Sequence, residues 1–97
     1  MSRTEEFRDR ARSGAPLAGT FLKTPAIQVV EALALTPLDF LCLDVEHAPF
    51  GRLEIDACVG MARALDMPML VRVAEGSPRD VLQALDAGAA GIIAPHI

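Results

Sequence analysis

Short apolar runs of strand length alternate with helical patterns along this chain of 97 residues. The runs occupy residues 17–22, 39–45, 69–73 and 91–94. Strands that alternate with helices in this way pair in parallel, and the crossovers between them are right-handed. The pattern therefore predicts an α/β fold with the order βαβαβαβ. A short charged helix at residues 3–13, ended by Gly14, is expected to precede it.

Capping residues and apolar periodicity predict three intervening helices. Thr24 and Pro25 suit the N-cap and the first turn of the first helix. The second covers residues 53–65, where apolar side chains recur with a period of 3.6. Ser77 and Pro78 open the third. The stripe that this third helix is expected to bury consists of Val81, Leu82 and Leu85.

Two architectures compete for these four strands. An open sheet would leave the first and last strands unpaired at its edges. Four further βα units would close a (β/α)₈ barrel, which needs about 250 residues. The alternation of strands and helices does not decide between the two. No linker or low-complexity segment divides the chain, so residues 1–97 are expected to belong to one domain.

Composition argues against several classes of function. Hydrophobic residues make up 52% of the chain, which supports a packed core and not disorder. The net charge is −4 and no basic stripe occurs, so we expect no nucleic-acid partner. No apolar run is long enough to span a membrane, and the charged first twenty residues resemble no signal peptide. Cys42 and Cys58 form no C-x-x-C pair, which indicates reduced thiols and a cytoplasmic location.

Polar side chains collect after the second strand. Asp44, Glu46 and His47 occur there within four residues, at the end of the strand where parallel α/β folds gather reactive groups. His47 could act as a general base or be an ordinary loop histidine. Asp44 follows an apolar run, so its carboxylate would need a partner if buried, and it could brace the following loop.

Arg72 interrupts the apolar run MLVRV of the third strand. An arginine in a buried strand is costly unless it meets an anion. It could therefore clamp a substrate carboxylate or a developing oxyanion. Alternatively it could form a structural ion pair with Asp44 or Glu46. The residues alone leave both roles open.

Three segments together resemble the HpcH/HpaI aldolase family: GTFLKTPAIQVVEALA at 19–34, LDVEHAPF at 43–50 and LVRVAEGSPRDVLQALDAGAAGIIAPHI at 70–97. Their joint occurrence in this order is far more specific than any one of them. The resemblance implies the N-terminal half of a (β/α)₈ TIM barrel. It also implies a class II pyruvate aldolase that cleaves or forms 4-hydroxy-2-oxo acids through a pyruvate enolate. The family acts on small oxo acids and assembles into homo-oligomers, usually hexamers.

The resemblance also implies roles for three residues. His47 would be the proton acceptor, Arg72 would bind substrate and stabilise the enolate, and Asp86 would raise the basicity of the histidine. Asp86 ends a helix before the fourth strand, so it should lie at the opposite end of the sheet from His47. It would then act after a local bend or from a neighbouring subunit, unless it only caps its helix.

A divalent ion, magnesium, manganese or cobalt, holds pyruvate in the family. Its ligands, a glutamate and an aspartate, come from later strands, so we expect no metal ligand in this chain. The 97 residues are then an incomplete part of an aldolase, inactive alone. A non-enzymatic half barrel that associates with itself or with a complementing chain is an alternative. A lyase of coenzyme A thioesters, as in the citrate-lyase relatives, is another.

Overall fold

In a computed structural model, described for residues 2–47, 50–73 and 78–93, each strand follows a helix. The elements are α1 (Arg3–Ser13), β1 (Gly19–Leu22), α2 (Ile27–Ala34), β2 (Phe40–Asp44), α3 (Arg52–Ala64), β3 (Met69–Arg72), α4 (Pro78–Ala87) and β4 (Gly91–Ile93). The strands form one parallel sheet in the order β1-β2-β3-β4. This confirms the predicted α/β fold. No helix of the described residues is long and apolar enough to cross a membrane.

Successive side chains of each strand point to opposite sides of the sheet, one covered by helices and one open. Leu41, Leu43 and Val71 are buried on the covered face, where they pack against apolar side chains of α2 and α3. The registers of the β1–β2 and β2–β3 pairings place Phe21, Cys42 and Leu70 in one row on the opposite face. No helix of the described residues packs over this row. We call the side that carries Phe21, Cys42, Asp44, Leu70 and Arg72 the open face.

Helix α2 begins later than predicted. Thr24 and Pro25 precede it, and Ala26 occupies the N-cap position without a side-chain hydrogen bond. The backbone amide of Ala26 instead donates to the carbonyl of Thr24 at 2.8 Å, so a tight turn replaces the expected first helical turn. The α1 prediction is confirmed at both ends. The Ser2 hydroxyl accepts from the third helical amide, and Gly14 ends the helix with φ 77°.

Of the three residues predicted to be buried in α4, two are exposed. Leu82 and Leu85 are 59% and 51% exposed, whereas Ala84 is 2% exposed. Val81, three positions before Ala84, is partly buried. The helix therefore joins the hydrophobic core through Ala84, and Val81 lies on the same helical face. The prediction was wrong for Leu82 and Leu85 because it followed side-chain size, whereas the residue that α4 buries is the small Ala84.

Helix α1 lies at the N-terminal ends of the strands. The Arg3 guanidinium donates to the carbonyls of Ala34, Thr36 and Leu38. Ala34 is the last residue of α2, and the other two lie between α2 and β2. Its backbone amide donates to the Asp66 carboxylate at 2.7 Å. Two of these bonds, to the Ala34 carbonyl and from the Arg3 amide, satisfy backbone groups that helix ends leave without partners. Helix α1 therefore leaves the opposite end of the sheet, where His47 and Arg72 lie, uncovered.

Close contact between β1 and β2 depends on Gly19. A Cβ atom at this position would lie 2.5 Å from the Phe40 ring, which packs on Phe7 with centroids 5.5 Å apart. We expect Gly19→Ala to lower the free energy of unfolding by about 1–3 kcal/mol, because the ring must move. Gly60→Ala is the control, since nothing lies within 4 Å of an added Cβ in the middle of α3. It should raise stability by about 0.5–1 kcal/mol. Urea unfolding measures both, and shifts of the same sign would contradict the prediction.

Candidate active site

A buried ion pair joins the ends of β2 and β3. Asp44 and Arg72 are direct cross-strand neighbours in the sheet register, and both belong to the open face. The Asp44 side chain is 0% exposed. Nε of Arg72 donates to Oδ1 of Asp44 at 3.1 Å, and Nη2 donates to Oδ2 at 2.6 Å. This two-bond geometry fixes the guanidinium in the plane of the carboxylate. Arg72 therefore forms an ion pair with Asp44, which was one of the two roles that the sequence allowed.

His47 lies against the same pair. Its backbone amide donates to Oδ1 of Asp44 at 3.0 Å, which folds the loop after β2 back over the end of the strand. Its ring Nδ1 is 3.1 Å from Nη2 of Arg72 and 3.6 Å from Oδ2 of Asp44. The side chain is 56% exposed, so its imidazole is accessible from outside. Asp44 thus braces the loop and holds His47 and Arg72 next to each other.

Two further side chains from β1 and its end complete the arrangement. The Phe21 ring centroid is 4.3 Å from Cζ of Arg72, and Nζ of Lys23 is 3.8 Å from Oδ2 of Asp44. Glu46 also contributes, with Oε1 3.6 Å from Nε of Arg72 and 3.8 Å from Nδ1 of His47. We call the set Phe21, Lys23, Asp44, Glu46, His47 and Arg72 the mouth cluster. Sequence reasoning missed the role of Phe21, because only the sheet register brings it towards Arg72.

The ion pair shifts the pKa values of its members. The hydrogen bond from Arg72 lowers the pKa of Asp44, and it outweighs the opposing effect of burial. The same bond raises the pKa of Arg72. Burial raises the pKa of the nearby Cys42 thiol to about 11, so this cysteine stays protonated and is a poor nucleophile at neutral pH. Cys42 is therefore not a candidate nucleophile beside the mouth cluster.

Acid should destabilise the chain through Asp44. Its folded-state pKa lies below the ordinary value of 3.8, so the unfolded chain binds the proton more readily. The stability that this shift provides is complete above about pH 4 and is lost as the pH falls through the lower, folded value. Urea unfolding from about pH 6 to pH 3 measures the loss. Asp44→Asn should show a smaller loss, and some loss should remain because the pKa values of Asp39 and Asp66 are lowered too. An equal loss in both proteins would contradict this role of Asp44.

The mouth cluster does not fit a divalent metal ion. Among residues 2–47, 50–73 and 78–93, no group of three histidine, cysteine or acidic side chains is arranged to hold one. Both oxygens of Asp44 already accept hydrogen bonds from Arg72. Lys23 adds a second positive charge nearby. The guanidinium of Arg72 and the ammonium group of Lys23 suit an anionic oxygen.

Asp86 lies apart from the other two predicted site residues. It is the penultimate residue of α4, which runs antiparallel to the strands, so it is near the end of the sheet opposite His47. Its side chain is exposed and lines a surface depression with Arg52, Arg79 and Leu82. No hydrogen bond or ion pair links it to His47 within the described residues. The structure thus brings His47 and Arg72 together and leaves Asp86 on the helix layer.

Comparison with known proteins finds similar aldolases. The chain is 32% identical over 87 residues to a hydroxypyruvate/pyruvate aldolase of Rhizorhabdus wittichii, covering 87% of this chain and 34% of that protein. It is 30% identical over 86 residues to a 2-dehydro-3,6-dideoxy-6-sulfogluconate aldolase of Pseudomonas putida, covering 89% and 33%. No protein-family model matches the chain.

Solved structures show the same likeness. The HpcH/HpaI aldolase of Desulfitobacterium hafniense superposes with a TM-score of 0.82 at 28% identity, covering 93% of this chain and 35% of that one. Citrate synthase SbnG gives a TM-score of 0.84 at 31% identity, covering 93% and 37%. Macrophomate synthase gives 0.79 at 34% identity, covering 99% and 33%. The chain therefore spans about a third of the length of these relatives. In sequence and in fold it matches part of an HpcH/HpaI-type aldolase, and the predicted resemblance to that family is confirmed.

Proposed function

We propose that residues 1–97 form the N-terminal part of a single barrel domain in a metal-dependent pyruvate aldolase, and that they are inactive alone. The reaction is the cleavage or formation of a 4-hydroxy-2-oxo acid through a pyruvate enolate. The observation that carries the proposal is the contact between Arg72 and His47 at the carboxyl ends of β2 and β3, braced by buried Asp44. Active sites of (β/α)₈ barrels lie at this end of the strands.

The two side chains supply the two functions that retro-aldol cleavage needs. Cleavage requires a proton acceptor for the substrate hydroxyl and stabilisation of the negative charge that develops on the enolate oxygen. Among the described residues, Nη1 of Arg72 has no hydrogen-bond acceptor, so this edge of the guanidinium can bind an anionic oxygen. The exposed imidazole of His47 lies beside it as the proton acceptor.

A magnesium, manganese or cobalt ion would add a second positive charge at the pyruvate oxygens. Its ligands would come from outside the described residues, because the mouth cluster offers no suitable set. Asp86 would support His47 of a neighbouring subunit in a homo-oligomer such as a hexamer. Its exposed position on α4 makes it available at such an interface. The proposed partners are therefore a small oxo acid and further copies of the barrel. The proposed location is the cytoplasm, with which the free, buried thiols of Cys42 and Cys58 are compatible.

A chimera tests the proposal. This chain replaces the aligned third of the Rhizorhabdus wittichii aldolase, and exchange of the pyruvate C3 protons with deuterium is followed by NMR in the presence of manganese. We expect exchange by the chimera and none by the 97-residue chain alone. A folded chimera without exchange would refute the proposed function. Equal exchange rates for the 97-residue chain and the chimera would refute only the proposal that this chain is inactive alone.

A second candidate function is non-enzymatic association, in which a half barrel binds itself or another chain through its edge strands. Within the described residues, β1 and β4 each pair on one side only. Phe21 on the open face is 47% exposed. Unpaired edges and an apolar face favour association with another chain. Light scattering distinguishes the possibilities, since a stable monomer at high concentration would rule out self-association.

A further inference from the structure

The Phe21 ring contacts a guanidinium that comes from two strands away. Phe21 is in β1 and is paired with Cys42 of β2, whereas Arg72 ends β3. The Arg72 side chain therefore crosses over β2 to reach the ring, where Cζ lies 4.3 Å from the centroid. Cys42, beneath this crossing, is buried although it belongs to the open face. A guanidinium above an aromatic face is held by the negative potential of the ring.

The hydrogen bonds of Arg72 determine where His47 carries its proton. Nη2 donates one hydrogen to Asp44 at 2.6 Å and is 3.1 Å from Nδ1 of His47, towards which it directs the other. A guanidinium nitrogen donates and never accepts, so Nδ1 must be the acceptor. The neutral imidazole then carries its proton on Nε2.

The carboxylate alone does not fix the guanidinium completely. Its two bonds hold Arg72 in the plane of Asp44, but the guanidinium could still tilt about the line that joins the two groups. A tilt would turn the second Nη2 hydrogen away from Nδ1 of His47. The Phe21 ring lies against the guanidinium and opposes this motion. Because the ring is 47% exposed, it contributes little to the core.

We propose that Phe21 is a positioning residue, which holds the Arg72 guanidinium so that His47 keeps its proton on Nε2. The inference deepens the proposed function, on which its catalytic meaning rests. With the proton on Nε2, the imidazole accepts a further proton only at Nδ1, which Arg72 occupies in the free site. A substrate oxyanion that binds at Nη1 and draws the guanidinium away from His47 would release Nδ1. His47 then becomes a base when substrate is bound, and its Nε2–H remains free to donate to a carboxylate.

The test uses the 97-residue chain with Phe21→Leu, which keeps an apolar side chain without a ring, and Phe21→Tyr, which keeps the ring. Nitrogen-15 NMR of the His47 ring, at a pH where the imidazole is neutral, identifies the protonated nitrogen. Hydrogen exchange at Nε–H of Arg72 reports how firmly the guanidinium is held. We expect the Nε2–H form in the parent and in Phe21→Tyr. Phe21→Leu should give a mixture of both forms and about threefold faster exchange at Arg72.

Thermal unfolding of the same variants separates positioning from a structural role. The midpoints should agree closely, because Phe21 is half-exposed. Should Phe21→Leu fail to fold, Phe21→Met replaces it. A ring-free variant that retains the Nε2–H form and the parent exchange rate would overturn the inference. If the tautomer shifts in Phe21→Leu but the chimera is inactive, the proposed function is refuted and this inference is not. The NMR measurement does not depend on activity.

Discussion

Asp44→Ala is expected to lower the free energy of unfolding by about 3 kcal/mol. The carboxylate is fully buried and accepts three hydrogen bonds, two from Arg72 and one from the backbone amide of His47. Its removal leaves a guanidinium without its main partner and a backbone N–H unsatisfied next to the core. Breaking a buried pair by removing one partner has a larger effect than losing an exposed pair. Urea unfolding at neutral pH measures the change.

Asp66→Ala is the matched control. Asp66 also accepts three hydrogen bonds, all from Arg3 and Thr4 at the start of α1, but its side chain is exposed. We expect its loss to lower stability by about 1 kcal/mol, as for a helix-capping carboxylate. A reduction as large as that of Asp44→Ala would show that burial does not determine the effect. It would also weaken the view that Asp44 organises the mouth cluster.

His47→Ala should reduce proton exchange by the chimera by about 10²- to 10⁴-fold, the usual contribution of a general base. Stability should change little, because the side chain is 56% exposed. The amide bond from residue 47 to Asp44 does not depend on the imidazole. Pyruvate C3 exchange with manganese measures the rate, and urea unfolding of the 97-residue variant measures stability.

Arg52→Ala is the activity control, since Arg52 is exposed at the start of α3 and outside the mouth cluster. Its chimera should retain the parent exchange rate. A His47→Ala chimera with parent activity would remove His47 from the proposed mechanism. Loss of activity in both chimeras would indicate a damaged barrel and would equally deny His47 a specific role.

The order of elements could be predicted from the sequence because apolar periodicity is a local property. The runs around β2 and β3 were located to within a residue or two of their bounds. The position of Asp44 and Arg72 at the ends of adjacent strands also predicted that they share an edge of the sheet. The sequence offered Asp44 and Glu46 as possible ion-pair partners of Arg72, but it could not decide for the two-bond contact with Asp44, because that contact depends on register. A slip of one residue would turn one of the two side chains to the covered face.

The remaining errors and omissions come from contacts between distant segments. Phe21 is separated from Arg72 by a whole strand, so no spacing in the sequence indicates their contact. In α4, the apolar pattern favoured Leu82 and Leu85, but the face turned inward carries Ala84. Periodicity identifies a helix better than it identifies which face packs, because the surrounding elements decide the latter. The remoteness of Asp86 from His47 was predicted, since helix direction follows from the βα alternation.

Each strand of the sheet lies beside the one that precedes it in the chain, and a single crossover joins every pair. Such nearest-neighbour pairing is the most local arrangement that a parallel sheet allows, since each strand pairs across one helical crossover only. During synthesis on the ribosome, β1, α2 and β2 can assemble before β3 emerges. Each finished strand then serves as the template for its successor. In this order, every strand added after β1 would pair with the free edge of the strand made just before it.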